Sequence, residues 1–444
     1  MLFKNYENLI LNGQSPVLQQ KRKDILDMLS AAVDAVQPSQ VIKDLFRGSQ
    51  LVFASESIDL ASFDNVYIVG FGKASVGMAQ AVCDAVTITK GIVITNDPSA
   101  TIRNHLVEVI VGGHPLPNEG SIRGTEKILD LLGNCSENDC VIVLISGGGS
   151  SLFCKPRVSL NDLQKTFDLL LRNGVSIEEL NTIRKHLSFV KGGQLVQYTK
   201  AVIVSLIISD VVHNPVSSIA SGPTSPDSST FSDAREIFKQ YQLWTNIPVT
   251  VRTIITEGIA GRISETLKEN NPVFKTVFNF IIATNEHACQ GAMDKAKELG
   301  YNTTLMATSI TGEARVVGKY LINRVTKNLL DRKTVVITSG ETTVTVQGNG
   351  TGGRNQELVL ICVEEIAGNQ LVVASFATDG IDGNSDAAGA LADGFTLARA
   401  LKKKLNPSYF LKQNNSYVFF QTLGDILLTG PTGTNVMDIQ IFIR

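Results

Sequence analysis

The sequence predicts an α/β protein with two domains. Short runs rich in β-branched residues alternate with segments of helical length over most of the 444 residues, a pattern typical of βα units that build a mostly parallel sheet. One hydrophobic core rarely grows beyond about 250–300 residues, so the length favours more than one domain. Glycine-rich stretches follow several predicted strands, and loops at strand ends are where such folds bind ligands.

The elements of the first half are predicted from periodicity. Apolar residues recur at helical spacing from Ile25 to Val36, which predicts an amphipathic helix ending before Pro38. Five later runs predict strands: Val66–Val69, Gly91–Thr95, Val107–Val111, Val141–Ile145 and Ala201–Ile208.

The regular pattern weakens between Trp244 and Phe274, where proline and glycine interrupt helical pieces. We therefore expect one domain over residues 1–260 and a second over residues 261–444. The predicted strands of the second half are Phe278–Ala283, Val335–Thr338, Thr343–Gln347, Leu371–Ala377, Tyr417–Phe420 and Val436–Ile443. Its predicted helices lie near Glu286–Leu299, Gly312–Leu330 and Arg354–Ile366.

The charge balance indicates local recognition of a small molecule. With 40 Lys+Arg against 42 Asp+Glu, the chain has no long-range attraction for nucleic acid or an anionic membrane. No apolar run reaches the roughly 18 residues that span a bilayer, and the N-terminus lacks the apolar core of a secretory signal. We expect a cytoplasmic protein, and a homo-oligomer is compatible with the sequence.

The cysteines and histidines predict no metal or redox centre. Five of the six cysteines lie in or beside apolar stretches and none forms a Cys-x-x-Cys pair, so we expect buried thiols. The five histidines show no ligand spacing for a transition metal, and no Gly-x-Ser-x-Gly motif accompanies them.

The first glycine-rich loop runs from Gly70 to Gly77, between a strand and a helix, and contains Lys73. Gly70 and Gly72 allow close approach to an anion, the start of the helix offers amide groups, and the lysine adds a cation. The loop matches neither the dinucleotide fingerprint nor the Walker A motif. A plain strand-to-helix turn is the alternative.

The second loop is the stronger indication of phosphate binding. It directly follows a predicted core strand and reads Ser146-Gly147-Gly148-Gly149-Ser150-Ser151. Three glycines between hydroxyl groups can form a concave backbone nest for an anion. A flexible linker is the alternative, although linkers rarely interrupt a βα unit.

The third loop, Gly348–Gly353, precedes a predicted helix that carries Arg354 in its first turn. A guanidinium group at this position can make paired hydrogen bonds to a carboxylate or a phosphate. A hairpin tip with a solvated arginine is the alternative.

Acidic residues follow predicted strands in both halves. Asp210 ends the most apolar strand, where it can act as a base or hold magnesium, with a helix cap or turn as the alternative. The stretch Asp379–Gly389 contains three aspartates. Its spacing suggests an EF-hand, but Ala387 stands where that loop needs glycine and a strand precedes it, so we exclude that motif. Cation binding by some of these carboxylates stays open.

The chain resembles the class II glycerate kinases, which carry a C-terminal MOFRL domain. The resemblance covers nearly the whole chain and rests on strings in the family's order: Gly70–Lys73, Gly112–Pro117, Ser146–Ser151, Ser209–Asp210 with Ile219–Thr224, Ala283–Glu286, Gly352–Glu357, Asp379–Gly389 and Gly430–Asn435. It implies two α/β domains facing a cleft, the N-terminal one Rossmann-like with helices on both faces of its sheet. It also implies ATP with Mg²⁺ as phosphoryl donor and D-glycerate as acceptor, giving 2-phosphoglycerate.

The resemblance also implies site residues. The catalytic residues are expected to be Lys73, Asp210 and Arg354, with Lys73 and Arg354 binding substrate together with Asn285. The phosphate-binding residues are expected in the first two loops: Gly70, Gly72, Ser146, Gly147, Gly148, Gly149, Ser150 and Ser151. The metal ligands are expected among Asp210, Asp379, Asp382 and Glu341. One departure is His213-Asn214, where the family usually has Gly-Asp.

Two other functions compete with this interpretation. Close relatives are often labelled hydroxypyruvate reductases, but no loop completes the fingerprint that an NAD(P)-dependent enzyme of this fold would need. A non-catalytic sensor of a sugar acid or nucleotide is the other alternative, and an assay distinguishes it from an enzyme.

Overall fold

The computed structural model describes residues 1–54, 56–328 and 333–444. Its helices are α1 (Tyr6–Leu11), α2 (Pro16–Asp34), α3 (Pro38–Leu45), α4 (Ser75–Ala85), α5 (Glu119–Gly133), α6 (Gly149–Leu152), α7 (Leu160–Arg172), α8 (Ile177–His186), α9 (Phe231–Gln240), α10 (Val249–Ile259), α11 (Asn285–Glu298), α12 (Ala314–Asn328), α13 (Arg354–Glu365), α14 (Thr396–Lys402), α15 (Pro407–Lys412) and α16 (Ser416–Leu423).

The strands are β1 (Phe46–Arg47), β2 (Gln50–Val52), β3 (Ser57–Asp59), β4 (Val66–Phe71), β5 (Lys90–Thr95), β6 (Val107–Val111), β7 (Cys140–Ile145), β8 (Val202–Ile208), β9 (Val277–Ala283), β10 (Asn302–Glu313), β11 (Thr334–Thr343), β12 (Val372–Ala377), β13 (Gly389–Asp393), β14 (Ile426–Leu427) and β15 (Asp438–Ile443). No helix among the described residues is both long enough and apolar enough to cross a bilayer.

The chain divides into two compact units, one of residues 41–282 and one that combines residues 1–40 with residues 283–444. The expected division at 260/261 therefore differs from the observed one in two respects. The crossing lies further along the chain, before the last residue of β9, and the N-terminal helices belong with the C-terminal part. An amphipathic pattern indicates that a helix packs against a hydrophobic core. It does not indicate which of two cores that is.

The unit of residues 41–282 is built on a six-stranded sheet of order β6-β5-β4-β7-β8-β9. The pairs β5/β6, β4/β5, β4/β7 and β7/β8 are all parallel, which confirms the predicted parallel sheet and its first five strands. Every residue of β7 is buried, as expected for a central strand with both faces covered. A second apolar cluster unites α7 to α10, and β1 to β3 form a small antiparallel sheet.

The other unit has a six-stranded sheet of order β10-β11-β15-β12-β13-β14. Only β10 and β11 pair in parallel there; the other four described pairs are antiparallel. The prediction that Thr343–Gln347 forms a separate strand was wrong, because β11 runs through to Thr343 and residues 344–347 are not in a strand. The strands β10, β13 and β14 were not predicted. Of the predicted helix Gly312–Leu330, residues 329–330 lie outside the described residues.

The prediction of a strand at Tyr417–Phe420 was also wrong, since these residues lie in α16. Their types favour strand locally, but Ser416, Phe419, Phe420 and Leu423 are buried, and that spacing of three and four residues is helical.

Helix α2 is anchored by a buried ion pair within its unit. Its N-cap Ser15 accepts a hydrogen bond from the Leu18 amide, and Arg22 is fully buried between Asp393 at 2.6 Å and Asp425 at 2.9 Å. Buried charges are tolerated when they are paired in this way. The predicted thiols are free: Cys140, Cys154, Cys289 and Cys362 are buried, and Cys83 is half-buried.

Candidate active site

Three loops begin side by side at the carboxyl edge of the parallel sheet. Ile145 of β7 pairs with Phe71 of β4 and with Ile207 of β8. Neighbouring strands lie about 4.8 Å apart. The loops that carry Lys73, Gly147 and Asp210 therefore leave the sheet next to one another, at the edge where α/β folds bind ligands.

The first and second loops interlock through their backbones. The amide of Lys73 donates to the carbonyl of Gly147 at 2.8 Å, and the amide of Ala74 donates to Ser146 Oγ at 3.1 Å. Gly72 has φ +129°, and a Cβ at this position would lie 2.2 Å from Ser146 Oγ. Glycine is needed here so that the two loops can touch.

This contact changes the interpretation of Gly70 and Gly72. Gly70 lies within β4, where a Cβ would be 3.3 Å from Leu144 Cβ, and the amide of Gly72 donates to the carbonyl of Ile94. These glycines thus have a packing role, and we do not retain them as phosphate ligands. What the first loop offers to a ligand is the half-buried side chain of Lys73.

The second loop has the features of an anion nest. Gly148 is left-handed at φ +82°. Within the described part of the chain, the amides of Gly147 and Gly148 donate no hydrogen bond, whereas those of Gly149 and Ser151 turn back onto the loop. Adjacent N–H groups that share a concave turn form a binding site for phosphate or carboxylate oxygens. Because unpaired backbone donors are costly, a bound anion is their natural partner.

His114 lies in the Gly112–Pro117 loop and was not among the predicted site residues. A Cβ on Gly148 would lie 2.9 Å from His114 Cδ2 and 3.5 Å from Lys73 Cγ. The imidazole and the lysine stem therefore both lie against the nest and restrict the space above it.

Behind the nest lies a strained segment that was also missed. Ala220 and Ser221 have φ of 50° and 62°, a left-handed conformation that non-glycine residues rarely adopt. The hydroxyl of Ser221 bonds to Ser150 at 2.8 Å and to Asn181 at 3.0 Å. Backbone strain of this kind tends to occur at functional sites, where surrounding contacts maintain the strained conformation. The sequence contains no pattern that predicts it.

Asp210 lies two residues beyond the end of β8 and is half-buried. The turn after it contains His213 and Asn214, both with positive φ of 64° and 54°. Asn214 Oδ1 is buried and has no hydrogen-bond partner among the described residues. The departure from the family pattern thus lies in a strained turn beside the expected base.

Arg354 belongs to the other unit, where it is the first residue of α13. Its Nε and Nη2 contact the carboxylate of Asp438 at 2.5 and 2.9 Å, and its Nη1 lies 2.8 Å from Glu341. Burial alone would lower the pKa of Arg354, but the two carboxylates raise it well above its usual range. Asp438 was not predicted, because a single aspartate at the start of an apolar strand carries no distinctive signal.

Two further predicted residues point into their own unit. Asp382 is 1% exposed and accepts from the backbone and side-chain N–H groups of Asn355 and Gln356. It holds the first turn of α13, and burial raises the pKa of its carboxyl to about 6. Asn285 is 2% exposed and donates to the Thr308 carbonyl and to Ser339. Neither side chain is therefore assigned to a ligand.

The acids do not form a ready-made metal site. Among the described residues, no group of three His, Cys, Asp or Glu side chains is close enough to hold an ion. Glu341 is engaged by Arg354, and Asp379 is half-buried at the carboxyl end of β12.

The fold and the nest define an α/β protein built to bind an anionic small molecule. Two family models match the chain: a domain of unknown function, DUF4147, over residues 24–256, and the MOFRL family over residues 334–438. A glycerate 2-kinase of Pyrococcus horikoshii is 39% identical over 94% of this chain and 96% of its own length. A D-glycerate 2-kinase of Thermotoga maritima is 37% identical over 95% and 97%.

A crystal structure supports the same relationship. The glycerate kinase of Thermotoga maritima superposes with a TM-score of 0.83 at 36% identity, covering 96% of this chain and 99% of that one. The chain belongs to the MOFRL-containing glycerate kinase family.

Proposed function

We propose that this protein phosphorylates D-glycerate with ATP and releases 2-phosphoglycerate and ADP. The observation that carries the proposal is the nest at Gly147 and Gly148, whose unpaired amides lie beside Lys73. The relatives that match almost the whole chain are named as glycerate 2-kinases, which supports the choice of acceptor.

In this reaction the nest and Lys73 bind the phosphates of ATP. The amides of Gly147 and Gly148 donate to phosphate oxygens, and Lys73 stabilises the charge of the transferring group. The glycerate hydroxyl oxygen bonds to the γ-phosphorus as the bond from that phosphorus to ADP breaks. The hydroxyl proton passes to the carboxylate of Asp210.

Arg354 is assigned to the glycerate carboxylate. An arginine has five N–H donors, and Asp438 and Glu341 engage three of them. The bidentate contact with Asp438 fixes the plane of the guanidinium, so the remaining donors are held in one orientation.

Magnesium is part of the proposal because ATP-dependent kinases use it to neutralise phosphate charge. Mg²⁺ is usually held by one or two carboxylates together with substrate phosphates, so the lack of a three-ligand cluster among the described residues is compatible with it. Asp210, which lies in the same unit as the nest, is the oxygen donor we assign to it. We also propose a cytoplasmic location.

A coupled assay tests the proposal. Purified protein is incubated with ATP, Mg²⁺ and D-glycerate, ADP release is followed, and the product isomer is identified by NMR; a parallel reaction contains NADH and hydroxypyruvate. ADP formation with 2-phosphoglycerate is the expected result. Oxidation of NADH alone would favour the reductase, and no turnover in either reaction would favour a sensor.

A further inference from the structure

A pocket of about 300 Å³ opens beside the nest, within the unit of residues 41–282. Pro115, Leu116 and Pro117 line one side of it, and Leu163, Phe167 and Leu171 of α7 line the other. Ser150 and Ser151 connect it to the nest. The volume is sufficient for a small organic ligand, and a mostly apolar lining with a few polar groups is typical of such sites.

The rim of this pocket exposes apolar surface to solvent. Leu116 is 48% exposed and Leu171 is 58% exposed, whereas Leu163 and Phe167 deeper inside are 3% and 7% exposed. Apolar side chains gathered around an opening favour an occupant with a flat or bulky apolar part.

Two cations line the deep end. Lys191 is 3% exposed, and its Nζ donates to the carbonyls of Ser150 and Phe153 at 2.7 and 2.9 Å. The guanidinium of Arg184 lies over the ring of Phe167 and donates to Asn181 at 3.3 Å.

Neither cation has a carboxylate within ion-pair distance among the described residues. The one acid of the lining, Asp168, is paired with Arg172 instead. Burial lowers the pKa of Lys191 to about 8 and that of Arg184 to about 10, because it withdraws water from each charge. A bound anion would compensate them.

We propose that this pocket holds the adenosine part of the nucleotide, with the purine between the 115–117 loop and α7 and with Arg184 and Lys191 contacting phosphate oxygens. The inference rests on the proposed kinase function and names the nucleotide subsite within it. Glycerate is small and polar, so it would gain little from contact with the apolar walls. A purine nucleoside joined to phosphates matches both the walls and the cations.

Calorimetry with ADP and Mg²⁺, and separately with inorganic tripolyphosphate, tests this assignment without requiring turnover. Arg184→Met should weaken both ligands about tenfold, because a charge-assisted contact is lost. Leu171→Ala should weaken ADP several-fold and leave tripolyphosphate unchanged, because only the purine side is affected. Arg103→Met and Ile177→Ala, at residues 78% and 55% exposed outside the pocket, are the matched controls.

Steady-state kinetics distinguish the occupants. The KM for ATP should rise in both pocket variants while the KM for D-glycerate changes less than about twofold. Wild-type affinity for ADP in both variants, or a rise confined to the KM for glycerate, would overturn the inference while leaving the kinase function intact. If the wild-type protein binds ADP but has no kinase activity, and the pocket variants bind ADP more weakly, the subsite is supported and the proposed function is refuted.

Discussion

The amide of Lys73 and the carbonyl of Gly147 are joined by a hydrogen bond of 2.8 Å between the loops that follow β4 and β7. The bond joins the two glycine-rich loops: the amides of Lys73 and Ala74 donate to the second loop, whose Gly147 and Gly148 amides donate no hydrogen bond within the described residues. Lys73 is thereby held beside the nest by its backbone, with its Cγ 3.5 Å from the position of a Cβ on Gly148.

Replacing Lys73 by Met should preserve this backbone contact and remove only the cation. We expect kcat to fall by about 10² to 10³, the usual effect of removing one group that stabilises the transition state. The measurement is the coupled kinase assay, with the melting temperature as a check on folding. Lys127→Met, which breaks an exposed pair with Glu108, is the control and should keep wild-type turnover; equal kinetics of the two variants would contradict the role of Lys73.

Gly148→Ala and Gly174→Ala form a matched pair of substitutions. Both glycines are left-handed, at φ +82° and +70°, but a Cβ on Gly148 would meet His114 at 2.9 Å, whereas nothing lies within 4 Å of one on Gly174. Each variant should lose about 1–2 kcal/mol of unfolding free energy from the backbone conformation. Only Gly148→Ala should raise the KM for ATP by tenfold or more, because only it distorts the nest. Unchanged ATP kinetics in Gly148→Ala would remove the nest from the phosphate site.

The strands of the parallel sheet could be predicted from the sequence, whereas several of the site's contacts could not. Runs such as Val141–Ile145 are apolar, β-branched and bounded by turns, so local pattern decides them. Whether a backbone amide in a loop is hydrogen-bonded depends on the neighbouring loop. Gly72 and Gly148 therefore look alike in sequence, although Gly72 has a packing role and Gly148 belongs to the nest. The partnership of Arg354 with Asp438 joins residues 84 positions apart, and no local pattern encodes it.

Asp438→Asn tests whether that partnership orients Arg354. Asp438 is fully buried, so loss of its charge should cost about 3–5 kcal/mol of unfolding free energy and raise the KM for D-glycerate. The matched variant is Glu341→Gln, at a more exposed partner, which should cost about 1 kcal/mol or less. An unchanged KM for glycerate in Asp438→Asn, measured below its melting temperature, would mean that the pair is only structural.

The buried Arg22 predicts a stability effect without a catalytic one. Arg22→Met leaves Asp393 and Asp425 buried with part of their compensation lost, so we expect a loss of about 3–5 kcal/mol in urea unfolding. Lys23→Met, which removes the neighbouring solvent-exposed pair with Asp27, should cost less than about 1 kcal/mol. Similar midpoints for both variants would show that the buried pair contributes no more than the exposed one.

Lys191 predicts a pH-dependent stability. Burial lowers its pKa to about 8 in the folded chain, from 10.5 for a free lysine. Between these values the unfolded chain still carries a proton that the folded chain has released, so rising pH favours the folded state. This contribution is fully present above about pH 10.5 and is lost as the pH falls through 8.

The comparison of wild type with Lys191→Met isolates this contribution. Cys154 and Arg184, which face Lys191, are present in both proteins. The difference in unfolding free energy should increase in favour of wild type by about 2 kcal/mol between pH 8 and pH 9.5, since one pKa unit corresponds to about 1.4 kcal/mol. Urea titrations at several pH values measure it, with the exposed Lys165→Met as the control that should show no such slope. If the difference in unfolding free energy between the two proteins does not change with pH, Lys191 remains charged in the folded chain. In that case its hydrogen bonds to the carbonyls of Ser150 and Phe153 fully replace its hydration.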